Sequence, residues 1–89
     1  MAGLKKRFML PEMFYNTSLA KGVLTLREYC VLWYEASNFQ LRQIALRLHI
    51  SETRVEAIIR QICRKLKAKS IKAAIKKACF MGILTKEIC

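Results

Sequence analysis

Nine lysine and arginine residues lie between Arg54 and Lys77, and Glu56 is the only acid in that stretch. Cations at this density bind polyanions: ammonium groups neutralise phosphates, and an arginine fork can also pair with the edge of a guanine. The basic residues fall outside the apolar positions of a helical pattern, so they would share a solvent-facing surface. This stretch predicts a nucleic-acid-binding surface, and the alternative is an ordinary solvated helix face.

The whole chain has the same bias. Its 89 residues include 17 basic and 6 acidic side chains, and a formal net charge of +11 predicts nucleic acid, an anionic membrane surface or an acidic protein as partner. The length allows one small domain, and 54% apolar residues with few glycines and prolines favour an all-α fold. No nucleophile–base pair, carboxylate dyad or glycine-rich phosphate loop occurs, so we expect neither an enzyme nor a cofactor.

Four cysteines and one histidine are the candidate metal ligands, and no two cysteines form a C-x-x-C pair. They are Cys30, Cys63, Cys79, Cys89 and His49. Zinc ligation has poor support, and we expect reduced thiols that fill apolar positions in a cytoplasmic protein. No apolar run is long enough to cross a membrane, and the short run after the N-terminal basic residues does not predict a secretory signal.

The basic stretch must be positioned by helices, and the apolar spacing predicts two that meet at a corner. Ile44, Ala45 and Leu48 fall at helical spacing, and the pattern breaks at Ile50 and Ser51. It restarts at steps of three and four with Val55, Ile58, Ile62 and Leu66. A short helix, a corner and a longer helix make a helix-turn-helix. The predicted helices span residues 25–36, 40–48, 52–66 and 71–81 within a domain of residues 23–89.

Capping residues mark the ends of these helices. Thr25 and Glu28 form an S/T-x-x-E capping box, in which the hydroxyl and the carboxylate each bond a free backbone amide. The other expected caps are Ser51 and Ser70 at helix N-termini, and Asn38 and Gly82 at C-termini. On the first domain helix we expect Val31 and Leu32 in the core and Trp33 partly exposed.

Residues 1–22 form a basic, partly apolar extension ahead of the domain. Pro11-Glu12 could begin a short helix there, because proline suits a first helical turn and glutamate favours the positive end of the helix dipole. Lys21-Gly22 would end it. Two interpretations stay open: a short helix packed on the domain, or an arm that meets a second subunit or another protein.

Four sequence segments resemble the pattern of a known family in their residues, their order and their spacing. Residues 24–32 read LTLREYCVL, residues 44–51 read IALRLHIS, residues 55–66 read VEAIIRQICRKL, and residues 82–84 read GIL. This order resembles the LuxR/FixJ/NarL-type (GerE-like) helix-turn-helix DNA-binding domain, without a gap over about two thirds of the chain.

The resemblance implies a four-helix domain whose third helix enters the major groove and whose fourth helix often mediates dimerisation. It implies a bacterial transcription regulator that binds double-stranded DNA, usually as a dimer, and is associated with the nucleoid in the cytoplasm. We see no receiver or ligand-binding domain ahead of the motif and expect a stand-alone domain, so regulation by phosphorylation or by a bound autoinducer is not carried over from the family. Three positions depart from the family pattern: Arg54 replaces its threonine, Glu56 its lysine and Ile58 its usual histidine.

The third predicted helix and the connection after it would form the DNA-binding surface. The predicted DNA-binding residues are Thr53, Arg54, Glu56, Ala57, Arg60, Gln61, Arg64, Lys65, Lys67 and Lys69. Of these, the arginines suit base edges and the lysines suit phosphates. The predicted dimerisation residues on the fourth helix are Ile71, Ile75, Cys79 and Phe80.

Other functions stay open. Residues 51–66 are also similar to the S-x-x-R-V-x-x-I…R-K-L helix of sigma-factor region 4, although the further helix over 71–81 favours the LuxR type. A small interaction protein could use the same fold to bind another regulator or RNA polymerase. Glu56 in the DNA-facing region and the apolar run Cys79-Phe80-Met81 favour that alternative. A membrane-active amphipathic peptide is the third possible function. It ranks last because the helix caps and breaks predict a packed helical bundle and not a single helix on a membrane.

Overall fold

The computed structural model describes residues 10–15 and 22–84, and all regular structure within these ranges is helical. The helices are α1 (Glu12–Tyr15), α2 (Leu26–Ala36), α3 (Leu41–Leu48), α4 (Glu52–Leu66) and α5 (Ile71–Phe80). The predicted all-α class is confirmed. Helices α2 to α5 begin and end within one residue of the bounds that the sequence pattern predicts.

Local side-chain caps fix where the helices begin. The Glu28 amide donates to Thr25 Oγ1 at 3.2 Å, and the Thr25 amide donates to Glu28 Oε1 at 2.9 Å, so the predicted capping box is present. Ser51 and Ser70 accept bonds from backbone amides of α4 and α5 at 3.1 and 3.2 Å. After α2, Asn38 adopts the left-handed conformation, with φ 67°. The bonds to Thr25, Ser51 and Ser70 satisfy backbone amides that the N-terminus of a helix otherwise leaves unpaired.

The chain turns back sharply after α5. Gly82 has a φ of 80°, which a residue without Cβ adopts at little cost. The turn lets the Ile83 amide donate to the Ala78 carbonyl at 2.8 Å, and both Ile83 and Leu84 are buried. The expected glycine stop with its apolar contact is therefore present, and it seals one end of the core.

Helix α2 is the centre of the core. Every residue from Glu28 to Tyr34 is buried, and Val31 and Leu32 are fully enclosed, as expected. The expectation for Trp33 was wrong, because its side chain is only 5% exposed. A helix buried on all sides needs neighbours on all sides. Helices α4 and α5 pack against α2, and α1 and α3 also contact it.

Helix α1 packs on α2 through aromatic rings. The ring of Phe14 stacks on Trp33 with centroids 6.3 Å apart, and Tyr15 meets Tyr29 edge to face at 5.5 Å. The Tyr15 hydroxyl donates to the Leu24 carbonyl at 2.7 Å. A helix of 4 residues cannot persist alone in water, so these contacts hold it. The described part of the extension therefore packs on the domain. Lys21, which the sequence suggested as part of a helix stop, lies outside the described residues.

The cysteines differ from one another. Cys30 is a buried free thiol and Cys63 a half-buried one, as expected. Cys79 is disulfide-bonded, so the expectation of a reduced thiol was wrong at this position. Sequence spacing does not reveal such a bond, because a disulfide depends on how closely the folded chain brings two Cα atoms together. Cys89 lies outside the described residues.

Candidate nucleic-acid interface

A tight corner joins α3 to α4. His49 ends α3 in the left-handed conformation, with φ 57°, and the Ile50 amide donates to the Ala45 carbonyl at 3.0 Å. Ile50 is half-buried, and Ser51 caps the next helix. His49 itself is exposed. Because the corner is closed by backbone bonds and an apolar contact, the angle between the two helices is fixed by the core.

Helix α4 presents one face to the core and the other to solvent. Val55 and Ile62 are 0% exposed and Leu66 is 4% exposed, which holds the helix along its whole length. Its 15 residues span about 22 Å at 1.5 Å per residue. The major groove of B-DNA is about 12 Å wide and admits an α-helix. The helix is therefore long enough to cross that groove with its exposed face.

Four of the predicted DNA-binding residues lie on the outermost line of α4. With about 100° of rotation per residue, Thr53, Ala57, Arg60 and Arg64 fall within about 40° of the direction opposite the buried stripe. All four are exposed. Among the described residues, neither arginine has an acidic group within ion-pair distance. Both guanidinium groups can therefore bind a ligand without breaking a bond within the domain.

The other residues of α4 lie on its two flanks. Glu56 is about 80° away from the outermost line, on the same flank as the half-buried Ile59 and Cys63. Arg54 and Gln61 lie about 60° to 80° away on the opposite flank, which faces α2. The predicted DNA-binding residues of α4 therefore divide into an outer line, a flank that carries Glu56 and an opposite flank that carries Arg54.

An open groove separates the Arg54 flank of α4 from the first turn of α2. It has a volume of about 300 Å³, and Thr25, Arg27 and Glu28 line its α2 side. Arg54 and Gln61 line its α4 side. Thr25 and Arg27 are not among the site residues predicted from the sequence, because the sequence pattern of this turn indicates only a helix cap. The available signal was Arg27 itself, an exposed cation between the two capping residues.

Lys65, one of the predicted DNA-binding residues, is bonded within the domain. Its Nζ donates to Glu28 Oε1 at 2.8 Å, and the two side chains are 31% and 9% exposed. The same carboxylate oxygen accepts the Thr25 amide of the capping box. This ion pair ties the end of α4 to the start of α2, and Lys65 would have to leave it to reach a phosphate.

The lysines after α4 lie at a helix end. Lys67 adopts the left-handed conformation with φ 53°, and its side chain is exposed, as is that of Lys69. Lys77 Nζ donates to the carbonyls of Leu66 and Lys67, both at 3.0 Å. A cation at a helix C-terminus offsets the negative end of the dipole. Lys77 therefore stabilises α4, whereas Lys67 and Lys69 remain free to meet an anion.

The four predicted dimerisation residues do not share one face of α5. Ile71, Ile75 and Cys79 are half-buried along one flank. Phe80 is 94% exposed and lies about 100° further round the helix, since one residue separates it from Cys79. Two lysines, Lys72 and Lys76, occupy exposed positions between that flank and Phe80.

Chemistry at the cysteines of the described core is suppressed. Burial, followed by a 3.2 Å hydrogen bond to the Glu12 carboxylate, raises the pKa of the Cys30 thiol to about 12. Burial also raises the pKa of Cys63. Within residues 10–15 and 22–84 no group of three or more His, Cys, Asp or Glu residues could hold a metal ion. No helix in the same ranges is long and apolar enough to span a membrane.

Comparison with known protein families identifies a match over most of the described domain. Residues 22–78, well over half of the chain, match the GerE model of bacterial regulatory proteins, luxR family. No curated protein and no solved structure matches the chain. The matched range contains α2, α3, α4 and most of α5, and therefore the exposed face of α4 and the groove beside it.

Proposed function

The chain belongs to the luxR family of bacterial regulatory proteins, and we propose that it reads double-stranded DNA by placing α4 in the major groove. DNA binding and transcription regulation follow from the family, which consists of regulatory proteins and not of enzymes. The entry of α4 into the major groove of DNA, the sequence specificity and the dimeric state are our proposal. A protein with this role would act in the cytoplasm, on the nucleoid.

The observation that carries the proposal is the outer line of α4. Arg60 and Arg64 are exposed there without an acidic partner among the described residues, on a helix fixed by Val55 and Ile62. Arginine is the side chain that most often reads guanine, through two parallel bonds to O6 and N7. A rigid helix that presents two such groups on one line suits base contacts better than a flexible basic tail does.

Selection from a random duplex library with the purified full chain tests the proposal. Enrichment of a common sequence is the expected result, and a two-fold symmetric sequence would indicate a dimer. Tight, salt-sensitive binding without enrichment would contradict specificity and leave only electrostatic attraction to phosphates.

Arg60 offers a matched pair of variants. Arg60→Ala should weaken binding to the selected duplex by about 1–3 kcal/mol and relax one base position. Arg60→Lys keeps the charge but loses the planar fork, so it should retain affinity for random duplex while losing discrimination. Equal losses on selected and random duplexes in both variants would contradict a base contact at this position.

We further propose that two copies associate through the flank of α5 formed by Ile71, Ile75 and Cys79. A two-fold interface brings the same patch of each copy together, and an apolar flank suits this better than a charged one. Phe80 lies about 100° further round the helix than Cys79 and would not be part of this interface. Ile75→Glu should convert a dimer to a monomer in sedimentation equilibrium, and Phe80→Ser, as a control off that flank, should not. A wild-type monomer at all concentrations would contradict the dimer.

One observation favours a second function. Phe80 is 94% exposed, and the neighbouring Met81 is 43% exposed. Exposed apolar side chains that adjoin one another can form a patch that binds a partner. A small interaction protein that binds another regulator or RNA polymerase would use such a surface. In that case Phe80→Ser should abolish function and Arg60→Ala should not, which is the reverse of the result expected for a DNA reader.

A further inference from the structure

The groove between α2 and α4 brings two arginines together from distant parts of the chain. Arg27 lies in the first turn of α2 and Arg54 in the first turn of α4, and both line the same open space of about 300 Å³. Both side chains are exposed. We name this space, between Thr25-Arg27-Glu28 and Arg54-Gln61, the α2/α4 groove.

The groove has an excess of positive charge that the described part of the domain does not neutralise. Glu28 is its one acid, and the Glu28 carboxylate already accepts Lys65 Nζ at 2.8 Å and the Thr25 amide at 2.9 Å. With Lys65 balancing Glu28, the guanidinium groups of Arg27 and Arg54 remain, and no acid among the described residues pairs with either of them. Like charges held near one another repel, and a bound anion removes that repulsion.

The chemistry of the groove fits a phosphate. Arginine binds phosphate through two parallel N–H bonds, and two arginines can hold the oxygens of one group from opposite sides. The amides at the start of α2 are not the anion site, because the capping box already occupies them. On α4 the groove is lined mainly by the flank, with Arg54, Ile58 and Gln61, and it reaches the outer line only at Ala57. When a helix lies in the major groove, its flanks face the sugar–phosphate backbones and its outer line faces the base edges.

We propose that the α2/α4 groove is a subsite for one backbone phosphate of the DNA, held between Arg27 and Arg54. This rests on the proposed entry of α4 into the major groove. It assigns Arg54 to the backbone instead of the bases, and it adds Arg27 to the interface. Because one wall of the groove is α2, the phosphate would fix how deeply α4 enters and at which position along the duplex.

A backbone contact and a base contact respond differently to salt and sequence. Each phosphate contact that is lost makes the slope of log K against log salt about 0.9 shallower. A variant that lacks one phosphate contact should bind less tightly than wild type, and this difference in affinity should shrink about 3.5-fold between 50 and 200 mM salt. A phosphate contact lowers affinity for all sequences alike when it is removed, whereas a base contact lowers it mainly for the selected sequence.

The test uses fluorescence anisotropy with the full chain on its selected duplex and on a scrambled one. Arg27→Ala should make the salt slope about 0.9 shallower and should weaken binding to both duplexes equally. Arg27→Lys should restore most of the affinity. Arg27→Ala and Arg54→Ala together should cost less than the product of the single effects, because they share a ligand. A slope unchanged in Arg27→Ala, or a loss confined to the selected duplex, would overturn the proposal.

A scan with single uncharged methylphosphonates locates the subsite. At one backbone position the methylphosphonate should weaken binding by the wild-type protein. It should weaken binding by Arg27→Ala less, because only Arg54 remains, and it should have no effect on the double variant Arg27→Ala with Arg54→Ala. Arg60→Ala is the control, and it should remain as sensitive as wild type at that position. Full sensitivity in the double variant would overturn the phosphate subsite alone. Failure of the wild-type protein to bind any duplex would instead overturn the proposed function, and the subsite with it.

Discussion

Glu28 should stabilise the fold and restrain DNA binding at the same time, and two substitutions separate its roles. Its Oε1 caps α2 by accepting the Thr25 amide and pairs with Lys65 Nζ. Glu28→Gln keeps an acceptor for the cap but removes the charge, because glutamine also serves in a capping box. Glu28→Ala removes both.

The magnitude follows from burial and geometry. An exposed ion pair contributes about 0–1 kcal/mol, whereas removing one partner of a buried pair costs about 3–5 kcal/mol. Glu28 is 9% and Lys65 31% exposed, at 2.8 Å, so this pair lies between those limits. We expect Glu28→Gln to lower the free energy of unfolding by about 1–2 kcal/mol, and loss of the cap in Glu28→Ala to add about 1 kcal/mol.

Urea unfolding followed by helical circular dichroism measures these losses. A double-mutant cycle of Glu28→Gln with Lys65→Met should give a coupling of about 1 kcal/mol, well above the 0.3–0.5 kcal/mol within which independent sites add. Additive effects of the two substitutions would refute the ion pair as a source of stability. Equal losses in Glu28→Gln and Glu28→Ala would refute the separate contribution of the cap.

DNA binding should change in the opposite direction. Glu28→Gln releases the Lys65 ammonium group beside the α2/α4 groove and removes a negative charge from it. Affinity for random duplex should rise and its salt dependence should steepen, although the protein is less stable. Lys65→Met in the same background should cancel the gain. No change in the salt slope of Glu28→Gln would refute the inference that Lys65 lies within reach of the backbone.

Three further changes test the core. The buried Cys30 thiol, with its pKa raised to about 12, should stay protonated at pH 8 and react with a maleimide far more slowly than Cys63 until denaturant is added; equal rates would contradict its burial. Phe14→Ala should uncover Trp33, shift the fluorescence of this single tryptophan to longer wavelength, and lower the free energy of unfolding by about 1–3 kcal/mol. Gly82→Ala should cost about 1 kcal/mol in the same urea assay, because alanine is strained at a φ of 80°, and an unchanged midpoint would contradict the role of this turn.

Features that depend on residues three or four apart could be predicted from the sequence. The capping box of Thr25 and Glu28, the Ser51 cap and the Gly82 stop each involve a residue and its neighbours within one helical turn. Such bonds form wherever the local pattern occurs, with little dependence on the rest of the chain. The helix bounds, and with them the outer line of α4, follow from the same short-range rules.

Features that depend on distant residues could not be predicted. Lys65 and Glu28 are 37 positions apart, and the local pattern gives Glu28 a role only in the cap of its own helix and gives Lys65 no bond within the domain. Trp33 is buried by Phe14 of α1, a helix too short to be stable without that contact. The α2/α4 groove exists only because the first turns of two helices lie side by side. In each case tertiary packing decides the environment of a residue whose own neighbours give no sign of it.

The two charge departures from the family pattern acquire a joint meaning on the flanks of α4. Glu56 replaces a lysine on one margin, and Arg54 replaces a threonine on the other, which lines the α2/α4 groove. The pair of changes therefore moves a cation from one side of the helix to the other. If α4 enters the major groove as proposed, attraction to the backbone would come from the Arg27 side, while Glu56 would repel phosphate and could accept a bond only from a cytosine amino group. Repulsion between Glu56 and phosphates would weaken binding to every duplex alike, and only a cytosine opposite Glu56 would offset it. In that arrangement Glu56 would add discrimination to a chain whose charge of +11 attracts any duplex.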